Sequence, residues 1–366
     1  MVGLIAETTP DPPLTADSRA GWSREIAFEL MQAAFANAAA RMGVIERTFR
    51  IGGLGVRASF AGPGMIQAIE PALAHLAADP SLSVDLRVQL WDTATTGVSV
   101  PTPPRGGPSM APLQRDGVID RIRSSYHAVP RILTLYDTAE RVAVVWVPDA
   151  RSVPSNEIAS PMRTLLHWWA RDNGLQFVHA GAVGHEGRAV LLAGPSGAGK
   201  STSTLAALLA GLDYLGDDYV LVDAGAGTTI HSLFSAAKLQ PAQVAAFPEL
   251  RASLINEDRL ATEKALWFVH RDFPERTRAS AKAVAVLVPR VTGSADSSVV
   301  PIARSTALAA LAPSTIVQLS GADQWSLDAM AAFLARVPAY RLEAGTDLRG
   351  LAKTLRGVLE SAEAPS

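Results

Sequence analysis

Residues 194–201 read Gly-Pro-Ser-Gly-Ala-Gly-Lys-Ser, a complete G-x-x-x-x-G-K-S run of the Walker A type. A loop of this composition curls tightly enough to aim several backbone N–H groups at one point. A helix opening directly after it adds the positive end of its dipole. Gly194, Gly197 and Gly199 permit the curl, with Ser196 and Ala198 between them. Lys200 is placed to reach the β- and γ-phosphates and the Ser201 hydroxyl to ligate Mg²⁺, with Thr202 completing the expected nucleotide contacts. The chemistry implied is binding of a nucleoside triphosphate, with ATP and Mg²⁺ as the expected cofactors.

Two more groups stand in apolar surroundings. Leu212–Val222 runs Leu-Asp-Tyr-Leu-Gly-Asp-Asp-Tyr-Val-Leu-Val, so Asp217 and Asp218 interrupt an otherwise strand-like stretch. Adjacent carboxylates are costly to bury unless a cation or a function offsets them. Strand alternation sends neighbours to opposite faces, so a bulge or strand end is needed for both to face a nucleotide. One carboxylate near Mg²⁺ and one near an attacking hydroxyl is the economical arrangement for phosphoryl transfer. An exposed Asp-Asp turn between short strands is the structural alternative. His179 is the third candidate, in a predicted strand over 176–183 that leads through the turn at 184–187 into a second predicted strand at 188–193. His167, His185, His231 and His270 have no such setting and read as surface or packing residues.

The elements that must hold these groups follow from pattern. Ala189–Ala193 is a short apolar run suited to a buried strand, and Thr202–Ala210 is rich in helix formers with Gly211 as C-cap. Upstream, residues 1–20 read as a loose tail. A helix is predicted at about 23–42 with Ile26, Leu30 and Ala34 on one stripe, ended by Gly43. Strands are predicted at 56–60, 84–91, 131–136 and 141–147, a helix at 65–77, and a surface loop at 101–108. Ser160-Pro161 is expected to open a helix running to Asn173, whose Leu165, Leu166, Trp168 and Trp169 pack the two halves together. The organisation expected is therefore a tail (1–20), a smaller α+β N-terminal domain (21–150) for acceptor selection or oligomerisation, and an α/β catalytic domain (151–366).

Composition removes several function classes. A net charge of −2 lacks the broad basic surface that nucleic acid demands. The absence of cysteine excludes disulfides, thiolate metal sites and cysteine nucleophiles. No stretch reads as a membrane span and the first 18 residues do not read as a signal peptide, so a cytoplasmic location is expected.

Val178-His179-Ala180, the hairpin, the loop at 194–201 and Gly216-Asp217-Asp218 together resemble the catalytic domain of bacterial HPr kinase/phosphorylase. Within that group the likeness is to HPr-kinase-like proteins encoded beside ribosomal-peptide genes, including lasso-peptide clusters. It covers about residues 160–360 and extends to Ala283–Arg290, Leu311-Ala312-Pro313-Ser314 and Val337–Leu342. The resemblance implies a P-loop core related to phosphoenolpyruvate carboxykinase. It also implies Lys200 and Ser201 on phosphate and Mg²⁺, Asp217 as general base toward a hydroxyl, Asp218 nearer the metal, and His179 as the group that orients or tunes the base. The family's glycine-rich signature, with its metal-binding glutamate, is missing from the corresponding stretch His231–Pro241, so HPr itself and the reverse phosphorolysis are not carried over. Lys238 and the cluster Arg271, Arg276 and Arg278 are candidate phosphate contacts, with a solvated loop as the alternative for the arginines.

The leading expectation is an ATP- and Mg²⁺-dependent serine kinase acting on a peptide or small protein, with self-association into a homo-oligomer left open. A nucleotide-binding regulatory module with weak hydrolysis and a small-metabolite kinase are the alternatives. Leu319–Gln324 mimics an ABC-type signature, but no strand ending in Asp-Glu follows it, so that class is rejected. Substituting Lys200→Ala is expected to abolish Mg²⁺-ATP binding in isothermal titration while leaving the circular dichroism spectrum unchanged. Unaltered affinity would refute the phosphate-loop reading.

Overall fold

The computed structural model describes residues 24–100, 114–115, 118–127, 129–319 and 322–361. The tail at 1–20, the loop at 101–108 and residues 320–321 of the ABC-like run lie outside them. Helix α1 (Arg24–Met42) leads into the hairpin β1 (Val44–Ile51) and β2 (Leu54–Ala61). Gly52 and Gly53 turn it, both at positive φ, as a two-residue type I′ turn requires. The buried face of α1 is Phe28, Met31, Phe35 and Ala38. The predicted stripe is therefore corrected: Ile26 and Leu30 are exposed, because the larger aromatic pair captures the face toward the sheet.

Next come α2 (Ile66–Leu73), β3 (Leu86–Asp92), α3 (Thr93–Thr96) and the two-residue strands β4 (Gln114–Arg115) and β5 (Val118–Ile119). Strand β3 starts two residues later than predicted, after Asp85 has closed backbone and side-chain bonds with Gly55. Three strands complete this part: β6 (Ile122–His127), β7 (Ile132–Asp137) and β8 (Val142–Val147). The resulting six-stranded sheet has the order β1-β2-β3-β8-β7-β6. Strands β2, β3 and β8 run parallel and the remaining pairs antiparallel. Both faces are covered, so β8 is apolar throughout. Val142, Val144 and Trp146 join the core under α1, while Ala143, Val145 and Val147 face the opposite cluster.

Helices α4 (Ser155–Ala159) and α5 (Arg163–Asp172) follow. Ser160 and Pro161 do not open the longer helix as predicted. Proline disfavours helical geometry in the residue before it, Ser160 leaves the helical region (φ −140°, ψ 62°), and Met162 turns through the left-handed region at φ 55° before α5 begins.

The second sheet contains β9 (Leu175–Val178), β10 (Ala180–His185) and β11 (Arg188–Ala193), then, after α6 (Lys200–Leu209), β12 (Asp213–Gly216), β13 (Val220–Asp223) and β14 (Thr229–Ser232). A side pair, β15 (Ala236–Leu239) and β16 (Ala265–Phe268), brackets α7 (Pro241–Ala246). After α8 (Val269–Asp272) come β17 (Ser280–Val291), β18 (Ser298–Pro301), α9 (Arg304–Gln318), α10 (Gln324–Leu334), β19 (Ala339–Ala344) and α11 (Leu348–Ser361). The main order is β12-β10-β11-β17-β14-β13-β9, with β19 joining the far half of β17 and β18 pairing β19.

One prediction fails usefully here. The single strand expected over 176–183 breaks at His179: β9 forms one edge of the sheet, paired with β13, whereas β10 lies next to the other edge, between β11 and β12. A single residue joins them, so the sheet must curl until its edges nearly meet. The chain crosses that open seam a second time between β12 and β13, at Asp217-Asp218-Tyr219. The aspartates therefore sit in a bend between two strands rather than inside one.

The two sheets share a core. Trp168, Trp169, Leu165 and Leu166 of α5 pack in one cluster with Ile69 and Leu73 of α2, Val145 of β8, and Phe177 and Tyr219 of the second sheet. At Gly52 the sheets approach closely, since a Cβ there would stand 2.3 Å from a Leu175 methyl. Buried Arg123 of β6 donates to the Trp168 carbonyl (3.2 Å) and to Asp172 (2.7 Å), which ties the first sheet to the end of α5. Because these contacts are continuous, far-UV circular dichroism and tryptophan fluorescence are expected to report one coincident urea transition. Trp169→Ala should shift that transition by about 3–5 kcal/mol, the range for truncating a buried aromatic. Two separate transitions would contradict the shared core.

Candidate active site

The Gly194–Gly199 loop joins β11 to α6. Gly197 and Gly199 sit at φ 82° and 102°, in the region where a side chain strains the backbone. Helix α6 is held tightly on the sheet, because a Cβ on Gly181 of β10 would stand 2.7 Å from the Thr204 hydroxyl. Lys200 is buried, and its ammonium folds back to donate to the carbonyls of Gly194 (2.6 Å) and Pro195 (3.1 Å). Burial lowers its proton affinity, and Asp217 and Asp218 offset part of that. Ser196 and Gly197 are exposed at the tip, with Ala198 and Gly199 half-buried behind them. Thr202 instead accepts from Gln243 of α7 (3.2 Å), so its hydroxyl is engaged away from the loop.

Around the seam the three remaining candidates converge. Asp217 is 3% exposed and shares a hydrogen bond with the Ser201 hydroxyl, while its Oδ1 is buried without a partner. Burial, and then the neighbouring charge of Asp218, push its carboxyl up to about 6. Asp218 has the opposite fate. Burial alone would raise it, but an ion pair with Lys238 and a 3.0 Å bond from His179 Nε2 hold it well below the usual carboxylate range.

His179 is fixed from three sides. Its backbone N–H donates to Thr315 (3.1 Å), and Gln318 Nε2 lies 3.3 Å from Nδ1. An amide donor at Nδ1 leaves the ring proton on Nε2, aimed at Asp218. Tyr219 donates to the other end of the Gln318 amide (2.6 Å), and burial pushes its phenol up to about 12.

Sequence reasoning brought Lys200, Ser201, Asp217, Asp218 and His179 into one site, and the fold does place them together. It foresaw Lys238 as a phosphate contact rather than as the partner of Asp218. Thr315, Gln318 and Tyr219 were missed. Thr315 and Gln318 share a face of α9 at i, i+3 spacing but lie far from the loop in sequence, so only the Tyr219 position beside the acid pair carried a signal. The arginine cluster follows the alternative reading and stays away from the loop. Arg276 caps the Gly211 carbonyl at the far end of α6, Arg278 pairs with Asp213 (3.1 Å), and Arg271 with Asp272 and the Ser253 carbonyl. Their charges satisfy a helix end and local carboxylates, not the loop. Of the other histidines, His167 is buried against Phe177 and His231 is bound to Asp223, in keeping with packing roles.

A divalent cation suits this donor set. The Ser201 hydroxyl, with the Asp218 carboxylate at the edge of the site, offers the hard oxygen donors that Mg²⁺ prefers, while the unpartnered oxygen of Asp217 stays open to a proton. Among the described residues no cluster of three acidic or histidine ligands stands ready, so the remaining positions would fall to phosphate oxygens and water.

No protein-family model matches the sequence, and no curated protein does. Among solved structures the chain is similar to the Hpr(Ser) kinase/phosphatase from Coxiella burnetii, at 12% identity and a TM-score of 0.26, over 50% of this chain and 95% of that one. No described helix is long and apolar enough to cross a membrane.

A carboxyl whose proton affinity is raised by folding destabilises the native state once ionised, at pH values above the unfolded value near 4, and fully so above about 6. Asp217→Asn removes that penalty. Its melting temperature at pH 7.5 is expected to exceed wild type by roughly 2–5 °C, and the difference should vanish near pH 4. A lower melting temperature at pH 7.5 would mean that the carboxylate is paired.

Proposed function

We propose that the protein is an ATP- and Mg²⁺-dependent kinase transferring phosphate to a hydroxyl, with a serine of a peptide or small protein as acceptor. The observation that carries this reading is the uneven pair beside the loop. One buried carboxylate, Asp217, has a free oxygen and an affinity raised toward neutrality, while the other is pinned in its ionised form. Phosphoryl transfer asks little more of a protein than positioning, charge neutralisation and a proton acceptor. Lys200 and the loop amides supply the second, and Asp217 is suited to the third because its base strength exceeds that of an ordinary carboxylate.

In this reading Ser201 holds Mg²⁺ against the donor's phosphates. Asp218 reaches the metal only by exchanging Lys238, and otherwise fixes His179 and Lys238 at the edge of the site. The N-terminal part, from about residue 21 to 150, presents the acceptor. A cytoplasmic location and independence from nucleic acid belong to the same proposal. A regulatory nucleotide-binding module is the competing reading, and Asp217 separates the two.

Asp217→Asn should retain Mg²⁺-ATP binding but lower phosphate transfer to a serine-containing peptide pool by roughly 10²–10⁴-fold. Wild-type turnover should fall as pH drops through about 6, because the base must be ionised to act. A variant that keeps full turnover would make the pair structural and favour the regulatory module. Full binding with turnover lost in Asp218→Asn alone would exchange the two roles.

A further inference from the structure

A cleft opens between the first sheet, the start of α2 and the 153–165 segment. Its walls are chiefly apolar, with Met65, Ala68, Ile132 and Val147 among them. Three titratable side chains stand in this lining, His127, Glu157 and Arg163, beside the hydroxyls of Thr134 and Thr164. The Glu157 carboxylate is 3.9 Å from His127 and 4.0 Å from Arg163, so no hydrogen bond closes between them. Met162, at the turn into α5, holds a left-handed backbone that few non-glycine residues adopt, and this turn sets Arg163 at the cleft.

Arg163 also connects the cleft to the site. Its Nη1 donates to the Tyr219 hydroxyl (3.3 Å), Tyr219 donates to Gln318, Gln318 donates to His179, and His179 donates to Asp218. We propose that this cleft receives an apolar side chain of a peptide, with the flanking main chain bonded to Glu157 and Arg163. That this peptide is the kinase acceptor rests on the reading above. An acceptor and a donor side by side, each with unused capacity, match the N–H and C=O that flank a side chain in an extended peptide. The apolar lining matches the side chain itself. A fatty acyl chain would fill the same lining but offers no N–H to Glu157.

The full chain labelled with [ε-¹³C]methionine tests this without ATP, since Met65 and Met162 both line the cleft. The probe is N-acetyl-L-leucine N-methylamide, one apolar side chain between a C=O and an N–H. Saturable shifts are expected at the Met65 and Met162 methyls and not at the other methionines. Glu157→Gln should weaken the probe about tenfold, as loss of a charge-assisted bond does. Ala68→Leu should abolish binding by filling the space. Absence of shifts at both methyls in the wild-type chain would overturn the proposal, as would equal response to sodium octanoate, which marks a lipid site. Probe binding in a chain that never phosphorylates peptides would count against the kinase reading and leave the peptide cleft standing.

Discussion

Two adjacent carboxylates withdrawn from water cannot both be ionised unless a cation stands beside them, and the rest of this structure is arranged around that constraint. Only one of the two receives a direct cationic partner. Lys238 pairs with Asp218, and the proton of His179 reinforces it, so the negative charge settles there. Asp217 is left to respond to that charge and to its own burial, and its affinity for a proton rises. The asymmetry is one of position: Lys238 reaches one carboxylate and Ser201 touches the other.

That placement needs a curled sheet. Were β9 and β10 one continuous strand, His179 would be an ordinary strand residue with its side chain on one face. Because the sheet nearly closes, the one-residue bridge at His179 and the three-residue crossing at 217–219 run through the same seam, and no side-chain attraction is required to bring them together. Helix α2 and the turn after it then anchor the segment that carries Lys238. Ser235 donates its backbone N–H to the Ala72 carbonyl at 2.8 Å, and Ser232 meets His75 at 2.7 Å. The N-terminal part thus contributes to the electrostatics of the site through this segment without placing a residue in it.

Local chemistry was readable in the sequence, and long-range closure was not. The glycine loop announces itself because its function demands consecutive residues, and the hairpin before it because the glycines at 184 and 187 break two apolar runs; the structure turns it at Glu186-Gly187, both at positive φ. The aspartate pair was suspicious for its cost alone, and the need for a strand end was visible from alternation. What alternation cannot show is which edge a strand joins. Val178-His179-Ala180 is apolar on either side of the break, so nothing in its composition distinguishes one strand from two. The stripe on α1 was misassigned for a related reason. A helix rich in alanine has several weakly apolar faces, and the sheet below, with Trp91 and Trp146, selects the one bearing Phe28 and Phe35.

Helix α5 shows why the two sheets act as one body. Buried Arg123 from the first sheet is compensated at its last turn by Asp172 and the Trp168 carbonyl, an arrangement that would leave an uncompensated charge if the halves separated. Its first residue, Arg163, contacts Tyr219 beside the acid pair. A displacement of the first sheet is therefore passed along a rigid element of ten residues to the hydrogen-bond chain that holds His179. The energetics favour transmission over absorption, because the aromatic packing around Trp168 and Trp169 is dense and a core of this kind shifts as a unit rather than deforming locally. Separation of the sheets would thus disturb the orientation of His179 and the ion pair at Asp218 together, and with them the difference in proton affinity on which the pair depends.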